Sequence, residues 1–129
     1  MPTVLWIGLG GFLGANARYW LALWLAERWG AAFPYGTLLA NGGGSFLIAF
    51  FLTLAGGRLP VSPETRLFMA IGFLGGFTTF SSFSYETFQL LLQGDGWLSL
   101  LNVASNLLFG LVGVWLGVFL ARLLQGGGM

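Results

Sequence analysis

Four long apolar segments constrain this chain more than any other feature, because each has about the length that crosses a lipid bilayer. They run from about 4 to 26, 36 to 55, 64 to 92 and 97 to 124. A helix of roughly 20 apolar residues spans the hydrocarbon core of a membrane. Only 7% of the residues are charged, whereas a soluble domain carries about 25%. The sequence therefore predicts one all-α membrane domain, residues 1–129, with four transmembrane helices and short loops.

The residue types that most enzymes use for acid–base or nucleophilic catalysis are scarce in this chain. It contains no Cys and no His, which leaves no disulfides, thiol catalysis or imidazole metal ligands. Its four acids, Glu27, Glu64, Glu86 and Asp95, are scattered, so none of them forms a pair suited to acid–base catalysis. We therefore expect a protein that is not an enzyme. A net charge of +1 also gives no reason to expect a nucleic-acid partner.

The distribution of arginine gives only a weak signal for membrane orientation. Four spans place both chain ends on one side, together with the loop that carries Arg58 and Arg66. Arg122 lies on that side and Arg28 on the other, which favours cytoplasmic termini only slightly. A chain with so little orienting charge can insert in both directions. Four helices also make a bundle too small to enclose a polar path comfortably, so we expect self-association.

Glycine pairs four residues apart recur in three of the segments, at 10/14, 72/76 and 113/117. Small residues at this spacing let two helix backbones approach closely in lipid. The pairs therefore predict helix packing and carry no chemistry of their own.

Several polar side chains lie inside the apolar segments, where each is costly unless it finds a partner. Arg18 lies in the first segment, and Asn41 lies in the second, directly before three glycines. Asn102 and Asn106 in the fourth segment are four residues apart and share a helix face. One buried Asn commonly links two helices, but three of them with an Arg indicate a hydrated path.

The third segment contains the stretch GGFTTFSSFSYE, residues 75–86, which is unusually polar for a transmembrane helix. Gly75 and Gly76 are poor helix formers, and the residues after them are indifferent ones, so we expect the helix to break here. Broken backbone at membrane depth survives only inside protein or beside a cavity or an ion. Freed carbonyls suit a dehydrated cation, whereas freed amides suit an anion, so both kinds of ion stay open.

Two phenylalanines follow the expected break. Phe80 and Phe83 are three residues apart on one helix face, beside a polar stripe of Ser81 and Ser84. Because the edge of an aromatic ring is positive, two edges with nearby hydroxyl and amide donors can hold an anion without full charge. The same spacing also fits ordinary helix packing, which is the commoner case for such a pair.

The same stretch resembles the GGxTTFSTF signature of the Fluc (CrcB) family of fluoride channels. Two further blocks match that family, GANARY at 14–19 and GTLLANGGGSF at 36–46, so the resemblance covers the whole chain. It implies a passive fluoride-selective channel of the inner cell membrane that exports cytoplasmic fluoride and reduces its toxicity. It also implies an antiparallel, dual-topology homodimer in the lipid bilayer, with two pores, although a paired heterodimer stays open.

The resemblance also assigns roles to individual residues. Phe80 and Phe83 would lie along each pore, and Asn41 would donate its amide to fluoride. Arg18 would lie near the aqueous vestibule. A structural Na⁺ at the dimer centre would be bound by the backbone carbonyls of Gly75 and Thr78. The remaining polar track of the fluoride pathway would comprise Thr37, Ser81, Ser82 and Ser84.

Two departures from the family pattern concern the fluoride pathway. The fourth span of the family usually carries a Tyr and, four residues on, a Ser, where this chain has Asn102 and Asn106. Both Asn side chains can donate hydrogen bonds, so we place them in the pathway and leave ion positions and rate open. Ser82 stands where the signature often has Thr, a change that keeps the hydroxyl.

A small proton-coupled exporter of the multidrug type is the main alternative, since it is also small, four-spanning and dual-topology. It needs a carboxylate in mid-membrane, and Glu86 is the only candidate. A vestibule rim or an interhelical hydrogen bond also accounts for Glu86. A membrane scaffold that transports nothing is the third possibility, but it does not explain the Asn, Ser and Thr residues at depth.

Overall fold

The computed structural model describes residues 2–57 and 60–126, and every regular element within them is helical. The elements are α1 (Pro2–Trp29), α2 (Tyr35–Ala55), α3 (Pro63–Arg66), a π-helical segment (Leu67–Leu74), α4 (Gly75–Phe77), α5 (Phe80–Leu92) and α6 (Gly96–Leu124). The predicted all-α fold class is confirmed, and the helix bounds lie close to the predicted ones. Arg58, which entered the charge argument, lies outside the described residues.

Three helical stretches of the described chain are both long and apolar enough to cross a membrane: Tyr35–Ala55, Pro63–Leu92 and Gly96–Leu124. The remaining predicted span, α1, is the first in the chain and is long enough at 28 residues. It is less apolar, because Asn16 and Arg18 lie near its middle. The chain is a multi-pass membrane protein. We call Pro63–Leu92 the third span, because α3, the π-helical segment, α4 and α5 follow one another along it.

Glycines on both partners let α1 pack against the first half of the third span. A Cβ atom added to Gly10 would lie 2.7 Å from the backbone nitrogen of Phe73, and one added to Gly72 would lie 2.9 Å from the Cα of Gly10. No side chain fits at these distances, so the two backbones touch directly. The packing role predicted from the glycine spacing is confirmed for this pair of helices.

A second extensive helix pair is formed by α2 and α6. A Cβ atom added to Gly113 would lie 2.9 Å from the carbonyl oxygen of Gly42, and one added to Gly117 would lie 2.9 Å from the backbone nitrogen of Phe50. Close contact along this seam brings Asn41 of α2 and Asn106 of α6 within hydrogen-bond distance of each other.

The third span begins close to the predicted residue and breaks within the predicted stretch. The Ser62 side chain accepts a hydrogen bond from the backbone N–H of Thr65 at 3.1 Å, so it is the N-cap of this span. Gly75 and Gly76 remain helical, and the chain becomes extended at Thr78 (ψ 156°) and Thr79 (φ −154°, ψ 125°). The break therefore lies within the stretch where it was expected, at the two threonines and not at the glycines.

The contacts of Gly76 and Thr79 explain why the break lies at the threonines. Gly76 is needed for packing, since a Cβ atom there would lie 3.0 Å from the carbonyl oxygen of Gly11. Thr79 can leave the helix because its backbone N–H and carbonyl bond to the Asn41 side chain. Its hydroxyl oxygen accepts a hydrogen bond from the Ser82 N–H. The eight-residue π-helical segment before the glycines was not predicted from the sequence.

Candidate functional site at the break in the third span

Asn41 pairs with both backbone groups of Thr79 at the break. The Thr79 N–H donates to Asn41 Oδ1 at 2.8 Å, and Asn41 Nδ2 donates to the Thr79 carbonyl oxygen at 3.0 Å. Because Thr79 is extended, this pair of bonds is the kind that two neighbouring strands exchange in a ladder. The Asn41 amide thereby satisfies two backbone groups that the break would otherwise leave bare in the membrane.

A chain of side-chain hydrogen bonds continues from Asn41 into α6 and on to α5. Asn41 Nδ2 also donates to Asn106 Oδ1 at 3.0 Å. Asn106 Nδ2 donates to the carbonyl oxygen and to Oδ1 of Asn102, at 2.9 and 3.0 Å. Asn102 Nδ2 donates to Thr87 Oγ1 at 2.8 Å, and the Thr87 hydroxyl donates to the carbonyl oxygen of Phe83 at 2.7 Å. We call this set of side chains, Asn41, Asn106, Asn102 and Thr87, the amide chain.

The N-terminus of α5 presents backbone donors at the break. Thr79 is its N-cap, and the Thr79 hydroxyl oxygen accepts a hydrogen bond from the Ser82 N–H at 3.2 Å. Among the described residues, the N–H groups of Phe80 and Ser81 have no hydrogen-bond acceptor. Free N–H groups and the helix dipole together favour an anion at this position.

The two phenylalanines of the signature touch at the same end of α5. The ring centroids of Phe80 and Phe83 lie 5.6 Å apart with the planes inclined at 56°. Phe80 is 78% exposed in the single chain. Ser81 and Ser84 are exposed beside them, and the Ser84 hydroxyl donates to the carbonyl oxygen of Phe80 at 3.0 Å. The predicted shared face of Phe80 and Phe83 is therefore present, and it is open.

Carbonyl groups collect on the other side of the break. Arg18 Nε donates to the carbonyl oxygen of Gly76 at 3.3 Å, and the Thr78 N–H and hydroxyl both donate to the Leu74 carbonyl oxygen. In a continuous α-helix the Thr79 N–H would donate to the Gly75 carbonyl oxygen. Here it donates to Asn41 Oδ1 instead. Within residues 2–57 and 60–126, the carbonyl oxygens of Gly75 and Thr78 accept no hydrogen bond. Unpaired carbonyl oxygens are the ligands that a dehydrated cation requires.

A cavity of about 270 Å³ lies away from the break, beside the loop that joins α1 to α2. Buried Thr37 and half-buried Glu86 line it, together with Gln89 and Gln93. The Oε1 atom of Glu86 is buried and has no hydrogen-bond partner among the described residues. Thr37 therefore lines the same cavity as Glu86 and is not part of the amide chain.

The structure brings together most of the residues singled out by sequence, but in separate groups. Asn41, Asn102 and Asn106 are in one hydrogen-bonded network, Phe80 contacts Phe83, and Arg18 reaches the α4 end of the break. The sequence interpretation missed Thr79 and Thr87 as partners of these groups. Thr87 had a detectable signal, since positions 80, 83 and 87 follow the spacing of one helix face.

Comparison with known proteins places this chain in a family. Residues 5–118 match the family model described as CrcB-like protein, Camphor Resistance (CrcB). The chain is 50% identical over 122 residues to a protein of Roseiflexus sp. (strain RS-1), which covers 95% of this chain and 98% of that one. It is 47% identical over 122 residues to a protein of Geotalea daltonii, with the same coverage. Both relatives are named fluoride-specific ion channel FluC. On both measures, the chain belongs to the CrcB family.

Proposed function

We propose that this chain is a passive fluoride-selective channel that exports fluoride from the cytoplasm and so reduces its toxicity. The observation that carries the proposal is the meeting of three anion-binding features at one break within the membrane. These are the Asn41 amide, the free N–H groups at the α5 N-terminus and the adjoining Phe80–Phe83 pair. The names of the relatives point to the same ion.

These donors are suited to conduction because none of them carries a full positive charge. A channel must bind its ion well enough to admit it and weakly enough to release it. Amide hydrogens and the positive edges of aromatic rings attract an anion more weakly than a buried arginine or lysine does. Selectivity against chloride would come from a narrow path in which many donors replace the strong hydration of the small anion.

The proposed pathway extends along the rest of the predicted polar track. Arg18 would lie at the vestibule, and the walls would be formed by Thr37, Asn41, Phe80, Ser81, Ser82, Phe83, Ser84, Asn102 and Asn106. The exposed hydroxyls of Ser81 and Ser84 support this assignment, because they lie beside the open Phe80–Phe83 face.

An antiparallel homodimer of dual topology, with two pores, would complete the channel. A single chain leaves Phe80 78% exposed next to polar backbone, and such backbone at membrane depth requires protein or water around it. A second copy would cover this face. The low charge of the loops supports insertion in both orientations.

A structural Na⁺ at the dimer centre fits the donor set of the break. The carbonyl oxygens of Gly75 and Thr78 would hold it, since they accept no hydrogen bond from the described residues. A hard cation with oxygen ligands would neutralise the carbonyl dipoles of two facing chains and so hold the subunits together.

Liposomes that contain the purified protein test the proposal. The liposomes contain potassium fluoride or potassium chloride, and valinomycin lets K⁺ leave together with the anion. We expect rapid release of fluoride and no release of chloride. Phe80→Ile should lower the fluoride rate by at least about tenfold while the oligomer stays assembled, because the ring edge is lost. Phe12→Ile is the matched control, since Phe12 is also exposed, at 65%, but belongs to α1 and not to the α5 pair. An unchanged fluoride rate in Phe80→Ile would show that the Phe80 ring serves only in packing.

The buried Oε1 atom of Glu86, which has no hydrogen-bond partner among the described residues, favours one second candidate, a proton-coupled exporter. Such a protein would need a proton gradient to move its substrate. Fluoride release that continues unchanged after a protonophore has removed the proton gradient would eliminate this candidate. Release of an organic cation that stops in Glu86→Gln would favour it.

A further inference from the structure

Asn41 holds its orientation without help from α6. Its amide oxygen accepts the Thr79 N–H and its amide nitrogen donates to the Thr79 carbonyl. Two bonds to one residue fix the plane of the amide. The third bond, from Nδ2 to Asn106 Oδ1 at 3.0 Å, is therefore not needed to aim the side chain.

Both hydrogens of the Asn41 amide are engaged in this structure. One lies on the Thr79 carbonyl oxygen and the other on Asn106 Oδ1. An anion that binds to Asn41 must displace one of these two acceptors. Displacing Thr79 would tilt the amide, weaken the bond from the Thr79 N–H and leave backbone bare in the membrane. Displacing Asn106 disturbs neither backbone group, so the bond to Asn106 is the one that yields.

The Asn106 side chain keeps its position even when Asn41 no longer donates to its oxygen. Its amide nitrogen donates to the carbonyl oxygen and to Oδ1 of Asn102 one turn earlier in α6. Asn102 is in turn anchored to Thr87 of α5. Both hydrogens of the Asn106 amide are thus engaged within α6, so only its oxygen faces Asn41, and an oxygen accepts a hydrogen bond from Asn41 but offers none to an anion.

We infer that Asn106 sets the affinity of the pathway by competing with fluoride for one Nδ2 hydrogen of Asn41. This inference rests on the proposed function. When the ion arrives it replaces the Asn106 oxygen, and when the ion leaves the oxygen takes the hydrogen back. The competition weakens binding by about one neutral hydrogen bond and so shortens the time that the ion stays.

Asn106→Leu removes the competing oxygen at nearly constant shape. We expect the half-saturating fluoride concentration for efflux to fall about fivefold, the factor that corresponds to one net hydrogen bond. The saturating rate should fall as well, because the ion leaves more slowly. Ser105→Ala is the control on the same turn of α6, since the Ser105 hydroxyl donates only to carbonyls of its own helix. It should leave both quantities unchanged.

The two kinetic quantities separate competition from simple damage to the fold. A damaged pathway would lower the saturating rate and leave the half-saturating concentration unchanged or raised, and that result in Asn106→Leu would overturn the inference. Absence of fluoride release from the unaltered protein would instead contradict the proposed function.

A binding measurement on the unaltered protein decides the inference even if Asn106→Leu does not fold or no flux is seen. In ¹⁵N-labelled protein in lipid nanodiscs, sodium fluoride should shift the side-chain amide signal of Asn41, and sodium chloride should not. The backbone amide signal of Thr79 should stay in place, because its bond to Asn41 Oδ1 is kept. An Asn41 signal that does not respond, or a Thr79 signal that moves as far, would overturn the inference.

Discussion

The two halves of the third span differ in what they contact. Before the break, Ala70, Gly72 and Leu74 are buried, and the backbone lies directly against α1. After it, Leu90 is the one residue of α5 that is buried, and Phe80 is largely exposed. The first half is anchored inside one chain, whereas the second half has its polar and aromatic groups on an open face. Anchoring to α1 and the proposed anion contacts therefore lie in different halves of one span.

This difference follows from residue types on either side of Thr78. The first half is apolar and has glycines where α1 approaches, so it packs without polar groups. The second half alternates phenylalanines with hydroxyl side chains, which pack less tightly within one chain. Three substitutions test this difference between the halves. The first should disrupt the packing of the anchored half against α1.

Gly14→Ala should have the largest effect. A Cβ atom there would collide with the carbonyl oxygen of Phe73 and lie 2.9 Å from the backbone nitrogen of Phe77. Backbone cannot yield as a flexible side chain can, so we expect a loss of about 4 kcal/mol of stability. Thermal unfolding in detergent and the yield of monodisperse protein measure this loss. Gly8→Ala on the same helix, where nothing lies within 4 Å, should behave as the unaltered protein does; an equal loss would refute the contact argument.

Asn41→Leu should have the next largest effect, because it leaves the Thr79 N–H and carbonyl without partners. Unsatisfied buried groups cost about 1–3 kcal/mol each, so we expect a loss of about 3 kcal/mol. The loss should be confined to the second half of the span. Hydrogen exchange of backbone amides should then quicken around residues 79–83 and stay unchanged around 68–74.

A matched control for Asn41→Leu is Asn16→Leu. The Asn16 amide bonds only to the carbonyl oxygen of Phe12 in its own helix and is exposed. Little change in exchange is expected there. Faster exchange in the first half of the third span upon Asn41→Leu would show that the two halves are not separate units.

Thr79→Ala should have the smallest effect of the three. It removes the hydroxyl oxygen that caps α5 through the Ser82 N–H, and loss of an N-cap costs about 1 kcal/mol. Thr79→Ser keeps the hydroxyl and should restore the unfolding temperature. If Ser fails to restore it, the methyl group of Thr79, and not the cap, accounts for the loss.

Features that depend on chain-local chemistry could be predicted from the sequence. The helices followed from runs of apolar residues, and the close helix pairs followed from glycine spacing. The exact position of the break did not follow. Gly75 and Gly76 have low helix propensity, but their contacts with α1 keep them helical, and such contacts are not visible in a single sequence.

Long-range partners in the candidate site were the least predictable part. The shared face of Asn102 and Asn106 could be read from their spacing of four. That Asn41 would pair with Thr79, 38 residues away, depends on how α2 lies against the third span. Among the described residues, the Gly75 carbonyl lacks a donor because the Thr79 N–H bonds to Asn41. The Thr78 carbonyl lacks one because the Ser82 N–H bonds to the Thr79 hydroxyl.

The pairing of Asn41 with Thr79 also bears on how the chain is assembled during synthesis. During synthesis α2 enters the membrane before the third span. The Asn41 side chain is therefore already in the membrane when Thr79 enters it. The unpaired stage of the break is therefore brief. Asn106 enters last, with α6. The backbone groups of Thr79 do not need it, because they bond to Asn41. A circularly permuted chain with α2 after the third span would expose that backbone for longer and should insert less efficiently.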